Sequence, residues 1–457
     1  MKKVLIANRG EIALRIVKAC RKAGVQSVAV YSEADRNSMH VWAADEAICI
    51  GPAPSAQSYL AIDRLLLSAK ASGADAVHPG YGFLAENAGF ARACLEAGLA
   101  FIGPSPEMID LMGDKVRARE AAGKAGVRLV PGTPRGFTSA ELSEAQAMVD
   151  DIGFPLLLKA AAGGGGRGMR VVRAPEAFEA EFKQASREAE AAFGDGTVYM
   201  ERYFDKARHI EVQVLSDKHG THIHLGERDC TIQRRHQKLI EESPSPALSD
   251  AERKEVCNMA VALTRTLNYE NAGTVEFLYD AINGGFYFIE MNTRVQVEHP
   301  VTEMVTGVDI VLEQIRIAAG ERLELKTPEQ KPWGHAIEWR INAEDASRNF
   351  MPSPGLVQKW ECRRGGAVRL DSHVYPGYTV PTQYDSLLGK LIVGGKDRED
   401  ALARSKRVLA NFKVEGVSTT IPFYQLLMEQ PEFQAGAVYT RWVDDNIGRL
   451  YEHAQTN

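Results

Sequence analysis

Apolar and polar positions follow two different periods along this chain, and the change between them divides it. In the first hundred residues, short apolar runs alternate with segments of helical spacing. Residues 4–7 form an apolar run, residues 11–23 place Ile12, Ile16 and Ala19 at helical spacing, and residues 27–31 form a second apolar run. The alternation continues with a predicted helix over 59–72, a strand near 74–77, a helix over 87–98 and a strand at 100–102. Strands separated by helices predict a parallel sheet with crossover helices, a Rossmann-like arrangement. The run Gly103-Pro104-Ser105-Pro106 breaks this pattern, and a helical segment then leads to Gly132-Thr133-Pro134. The expected organisation is an N-terminal Rossmann-like domain at 1–103, a linker at 104–131, a module at 132–203 that holds a glycine run, and a β-rich stretch at 204–457. Within that last stretch, helices are predicted at 251–267 and 308–319.

The first turn of the Rossmann-like half is Ala7-Asn8-Arg9-Gly10-Glu11 and lacks the G-x-G-x-x-G spacing. Glu33 and Asp35 follow the second run, where a ribose-binding acid could sit. Without the glycines the backbone cannot approach a pyrophosphate closely, which argues against a dinucleotide site.

The glycine run lies between two strand-like segments: Lys159 closes the first, Gly163, Gly164, Gly165, Gly166 and Gly168 follow, and Met169 opens the second. A Walker loop would carry Lys-Ser/Thr and open a helix, and this one does neither. Strand–glycines–strand predicts a flap over nucleotide phosphates, with Lys159 beside it. A flexible surface hairpin has the same pattern.

Residues 274–290 read as two β runs flanking Asn283-Gly284-Gly285, a hairpin signal. With the turn centred on Asn283, Glu276 and Glu290 face one another across adjacent strands. Facing carboxylates repel and need a proton or a divalent cation, for which oxygen ligands suit Mg²⁺ or Mn²⁺. A solvated acidic hairpin is the bland alternative. Beyond it, Glu290, Asn292, Arg294, Gln296 and Glu298 recur at every second position, so an extended chain would point all five to one side. Glu290 and Asn292 could serve a metal, Arg294 and Gln296 offer forked donors to a planar oxyanion such as bicarbonate, and Glu298 is placed to take a proton. Residues 230–238 concentrate cations that fit a small anion or a basic surface turn equally. An inward Arg340 in the alternating segment 339–345 could stabilise an oxyanion.

Composition narrows the classes. The 457 residues carry 54 Lys and Arg against 60 Asp and Glu, a net charge of −6 that argues against a general nucleic-acid or anionic-membrane binder. No apolar stretch approaches a bilayer span or a secretory signal, and the six scattered cysteines form no Cys-x-x-Cys pair. A reduced, cytoplasmic protein is expected.

Together these segments resemble the biotin carboxylase family of ATP-grasp enzymes over essentially the whole chain. The resemblance rests on residues 7–13, His78-Pro-Gly-Tyr-Gly-Phe-Leu-Ala-Glu-Asn87, Gly113-Asp114-Lys115, residues 163–169, Gln233-Arg-Arg-His-Gln-Lys238, residues 290–300 and Arg340-Ile-Asn-Ala-Glu344. It implies an α/β and α+β fold: ATP-grasp with an N-terminal Rossmann-like domain, a mobile glycine-rich lid and a β-rich C-terminal domain.

For ATP the resemblance implies Lys115, Lys159, Gly164, Gly165, Gly166 and Met169 at the phosphates and flap. Glu201 and Tyr203 would lie at the adenine hinge, Leu278 against the base, and His209, Gln233 and His236 around the nucleoside. It further implies Mg²⁺ (or Mn²⁺) on Glu276, Glu290 and Asn292, and bicarbonate on Lys238, Arg294, Gln296 and the backbone of Val297. Glu298 would be the base and Arg340 would stabilise the biotin enolate. Residues 160–162 are Ala-Ala-Ala where some members carry Gly or Ser, which implies a stiffer flap.

The chain carries no Ala-Met-Lys-Met biotin-attachment motif, so a biotin carboxyl carrier protein in trans, separate carboxyltransferase subunits and a homodimer are expected. Acetyl-CoA carboxylase in fatty acid synthesis is the default setting; pyruvate or other acyl-CoA acceptors use similar subunits. Another ATP-grasp ligase acting on a different carboxylate, or a regulatory nucleotide-binding module, are the competing readings.

Overall fold

The computed structural model describes residues 1–161, 169–325 and 334–455. The N-terminal unit is a five-stranded parallel sheet of β1 (Lys3–Ile6), β2 (Gln26–Ser32), β3 (Glu46–Gly51), β4 (Ala76–His78) and β5 (Ala100–Phe101), in the order β3-β2-β1-β4-β5. This is the predicted Rossmann-like arrangement, with β3 as a strand absent from the expected elements although residues 47–50 are apolar. Most side chains of Glu46–Gly51 are exposed or half-buried, as an edge strand allows. The acid after β2 is not free for a ribose: Asp35 accepts two hydrogen bonds from the Arg9 guanidinium at 2.6 and 2.7 Å and one from Tyr59 at 2.7 Å.

Residues 104–131 hold the helical segment expected there. Two helices, Pro106–Gly113 and Lys115–Lys124, fill most of the span, each started by a side-chain cap (Ser105, Asp114). The glycine-rich module has a three-stranded antiparallel sheet, β7-β6-β8, built from β6 (Leu156–Ala160), β7 (Met169–Val172) and β8 (Val198–Arg202). Lys159 pairs with Met169, so the strand–glycines–strand reading is right about the flanks. Gly164, Gly165 and Gly166 lie outside the described residues.

The largest sheet has eight antiparallel strands. Its order is β13-β12-β9-β10-β11-β14, continued by the strands Leu387–Gly395 and Val368–Ser372. The labels denote β9 (Ala207–Ser216), β10 (His222–Arg234), β11 (Gln237–Ser243), β12 (Asn271–Asp280), β13 (Phe286–Asn292) and β14 (His335–Asn342). The β10–β11 hairpin turns on Arg235 and His236, both with positive φ, as a two-residue hairpin turn demands. The helix Gly10–Ala23 buries Ile12, Ile16 and Ala19 in a cluster with Leu215, Ala272 and Ile310, which seats the N-terminal unit on this sheet.

Candidate active site

Glu276 pairs directly with Glu290 across β12 and β13, as the hairpin arithmetic predicts. The path to that register is different. Pairs near the turn are Leu278–Tyr287 and Tyr279–Phe286, and an irregularity between Glu276 and Phe277 resets the register by one residue before the two acids. Leu278 also pairs with His209 on β9, so the two residues expected at the base and the nucleoside are neighbours.

One expectation is corrected. The alternating run 290–298 does not stay extended: β13 ends at Asn292, bends and turns follow, and a helix begins at His299. Period-2 alternation therefore does not align the five side chains. Asn292, Arg294, Gln296 and Glu298 are joined through hydrogen bonds instead. Asn292 Nδ2 and Gln296 Nε2 both donate to Glu276 Oε1, at 2.9 and 2.7 Å. Arg294 donates to Asn292 Oδ1 at 2.9 Å and to Glu86 Oε2 at 2.7 Å.

Lys238, at the start of β11, is the hub. Its ammonium lies 2.6 Å from Glu211 Oε2, 3.0 Å from Glu276 Oε1 and 2.6 Å from Glu298 Oε1. Glu298 is almost fully buried and also accepts from Arg340 Nη2 at 3.0 Å. Burial would push its carboxyl up, yet Lys238, Arg340 and Arg228 outweigh burial and hold it below the usual range. Arg340 additionally donates through Nε to Glu241 at 2.6 Å. The Val297 carbonyl, next to the predicted base, accepts from the fully buried Lys390 at 2.9 Å.

Several of these residues went unread in the sequence: Glu211, Arg228, Glu241, Lys390 and Glu86. A signal existed for the first, since His209, Glu211 and Gln213 alternate with the apolar Ile210, Val212 and Val214 along the strand. Arg228 is fully buried and is satisfied by Glu211, Gln213, Thr274, Gln296 and Thr302.

The nucleotide side is more open. Lys115 is exposed at the first turn of its helix, and Lys159 pairs with Glu201, which also lies 3.6 Å from Arg119. The Tyr203 hydroxyl accepts from Arg441 at 3.4 Å. Gln233 is buried, whereas His236 is exposed at the hairpin turn.

Two close clusters of His, Cys and acidic side chains stand among the described residues: His209, Glu211 and Glu276, and Glu211, Cys230 and Glu298. Glu211 is already neutralised by Lys238 and Arg228. His209 Nε2 lies 3.0 Å from Glu276 Oε2, and despite burial Glu276 raises the imidazole to about 9. Glu290 opens to solvent opposite Glu276. A buried and an open carboxylate on neighbouring strands are hard oxygen donors that fit Mg²⁺, and the Asn292 amide, whose Oδ1 accepts from Arg294 here, lies beside Glu276.

Residues 1–109 match the biotin carboxylase N-terminal domain family, residues 114–326 the ATP-binding domain of the carbamoyl-phosphate synthase L chain, and residues 338–445 the biotin carboxylase C-terminal domain family. The chain belongs to the biotin carboxylase family. A biotin carboxylase of Nostoc sp. is 54% identical over 97% of this chain and 98% of its own length. A pyruvate carboxylase subunit of Methanothermobacter thermautotrophicus is 50% identical over 97% of this chain and 89% of its own.

A crystal structure of the biotin carboxylase domain dimer of Hydrogenobacter thermophilus 2-oxoglutarate carboxylase, with MgADP, ADP and bicarbonate, is 46% identical. It superposes with a TM-score of 0.89, covering 98% of both chains. The biotin carboxylase family comprises ATP-dependent ligases, and the fold here is its ATP-grasp arrangement. Among the described residues, no helix is long and apolar enough to cross a membrane.

Proposed function

We propose that this protein uses ATP and bicarbonate to carboxylate biotin on a separate carrier protein, giving carboxybiotin, ADP and phosphate. The observation that carries this reading is the meeting of Lys238 and Arg340 on the two oxygens of Glu298. In the proposed mechanism Lys238, Arg294, Gln296 and the Val297 backbone hold bicarbonate, and Glu298 removes its proton. The resulting oxyanion attacks the γ-phosphoryl group in line. Lys115 and Lys159 neutralise the transferring charge, which is most of what phosphoryl transfer asks of a protein. Mg²⁺ on Glu276, Glu290 and Asn292 would supply further charge neutralisation at the phosphates. The carboxyphosphate so formed is short-lived in water and must be shielded from solvent while it breaks down to CO2 and phosphate. That phosphate takes the biotin N1′ proton, and Arg340 stabilises the enolate that CO2 then carboxylates. Glu201, Tyr203, Leu278, His209, Gln233 and His236 seat the nucleoside.

The default acceptor downstream is acetyl-CoA, as the first half-reaction of fatty acid synthesis in the cytoplasm, with the chain as a homodimer beside carboxyltransferase subunits. A pyruvate or 2-oxo-acid setting is the second reading, favoured by the names of the Methanothermobacter and Hydrogenobacter relatives. Bicarbonate-dependent ATP hydrolysis, stimulated by free biotin, tests the activity. ATP turnover indifferent to both would overturn it. Identifying the carrier and carboxyltransferase that co-purify with the chain separates the acceptors.

A further inference from the structure

A second pair of acids lies one strand beyond the site. Glu241 on β11 and Glu338 on β14 are direct cross-strand partners, and both are fully buried. Their neighbours in the register, Ile240 and Trp339, enter the hydrophobic core, so the two acids share the opposite face with Arg340. Among the described residues, both oxygens of Glu338 and Oε2 of Glu241 have no hydrogen-bond partner. Two adjacent carboxylates cannot both stay ionised in such a place, because burial penalises each charge and each repels the other. The pair therefore holds a proton. Glu241 also meets the base of the reaction through Arg340, whose guanidinium donates through Nε to Glu241 and through Nη2 to Glu298.

We propose that the Glu241–Glu338 pair receives the proton that Glu298 takes from bicarbonate and so restores the base within each turnover. This rests on the reading of Glu298 given above. The bicarbonate O–H bond breaks as an O–H bond forms on Glu298; that bond then breaks as one forms on Glu241, directly or through one water. Arg340 stays charged throughout. The proton leaves to water before the next turnover, which accounts for the one proton released when HCO3⁻, ATP and biotin become carboxybiotin, ADP and HPO4²⁻. Glu241 touches no reactant and acts through Glu298, so it is a positioning residue.

The direction of transfer follows from the surroundings. Burial raises Glu241 to about 7 against the pull of Arg340, while Glu298 is held low. Burial raises Glu338 as well, with Lys390 opposing and Glu241 adding to the rise. The charged and titratable groups facing the pair are Lys238 on β11, Arg340 on β14, Lys390 on the strand Leu387–Gly395, and Glu298 before the helix at His299. Cys230 of β10 and Tyr424 of the helix Ile421–Met428 also feel the charge of Glu241.

The test is bicarbonate-dependent ATP turnover with free biotin, from about pH 6 to pH 9, for wild type, E241Q and E338Q. Wild type should gain activity with pH as Glu241 becomes free to accept. E241Q should fall about tenfold or more below it at alkaline pH and converge on it towards pH 6, where Glu241 is already loaded. E338Q should move the acid limb to lower pH, because its amide can donate to Glu241. Profiles for E241Q that run parallel to wild type, or an unmoved limb in E338Q, would overturn the proposal. If E241Q does not fold, E338Q decides together with infrared difference spectra: a protonated-carboxyl stretch in wild type, lost in E338Q, supports the pair, and its absence in wild type refutes it. Failure of the underlying reading looks different: wild-type turnover would then ignore bicarbonate at every pH.

Discussion

Lys238 Nζ and Glu298 Oε1 lie 2.6 Å apart, although sixty residues separate them in the chain. The proposed base is therefore an ionised carboxylate at rest, held in place by the cation that would also hold its substrate. Glu298→Gln keeps the shape and loses the proton acceptor. Bicarbonate-dependent ATP turnover is expected to fall by about 10²-fold or more while nucleotide binding persists, measured by steady-state kinetics and calorimetric titration.

Removing the hub has a larger structural effect. Lys238→Met would leave Glu211, Glu276 and Glu298 converging without their shared cation. Breaking a buried charge cluster in this way costs about 3–5 kcal/mol, and urea denaturation should register it. Glu298→Gln, which removes one of the carboxylates, should be far milder.

The facing acids on β12 and β13 are the proposed metal ligands. Glu290→Gln should raise the Mg²⁺ concentration needed for half-maximal turnover by about tenfold or more, since even an outer-shell partner of a metal is commonly worth that much. Mn²⁺ should support turnover in wild type, and a chelator should abolish it. An unchanged Mg²⁺ titration in the variant would remove Glu290 from the ligand set.

Glu86 comes from the N-terminal unit and grips Arg294 at 2.7 Å. Glu86→Ala should leave Arg294 free to swing, raising the KM for bicarbonate about three- to tenfold with a smaller change in kcat, as expected when a forked donor loses its orientation. A lowered kcat with unchanged KM would contradict that positioning.

Acid should weaken the seam between β11 and the helix Arg398–Asn411. Burial alone would raise Glu242, but Arg398 and His335 hold it at about 2. A carboxyl lowered in the folded state contributes stability above its unfolded value near 4.5, and loses it as pH falls through the folded value. That contribution is about 3 kcal/mol, present at neutral pH and fading between roughly pH 4.5 and pH 2. The difference in stability between wild type and Glu242→Gln, followed by denaturation across that range, should shrink accordingly.

The sequence was informative where structure is local. Apolar periodicity located most strands and helices of the N-terminal unit, and the Asn-Gly-Gly turn placed Glu276 opposite Glu290. It did not separate the short apolar run at 47–50, which is β3, from the surrounding loop, and it missed the bulge beside Glu276, which leaves no mark in residue type. It also failed after Asn292, where alternating polar residues suggested an extended chain but the backbone turns into a helix.

What the chain alone determined, then, is the kind of element at each place and the chemistry available on it, because dihedral preference, turn residues and side-chain period act over a few neighbours. Which of those groups meet was decided by the order of strands in the eight-stranded sheet. That order sets β11 between β10 and β14, so Lys238 and Glu241 come beside Arg340 a hundred residues later, and Glu338 faces Glu241. Strand order is fixed by packing the whole core against its helices and the N-terminal unit, a cooperative choice that no short window of sequence contains.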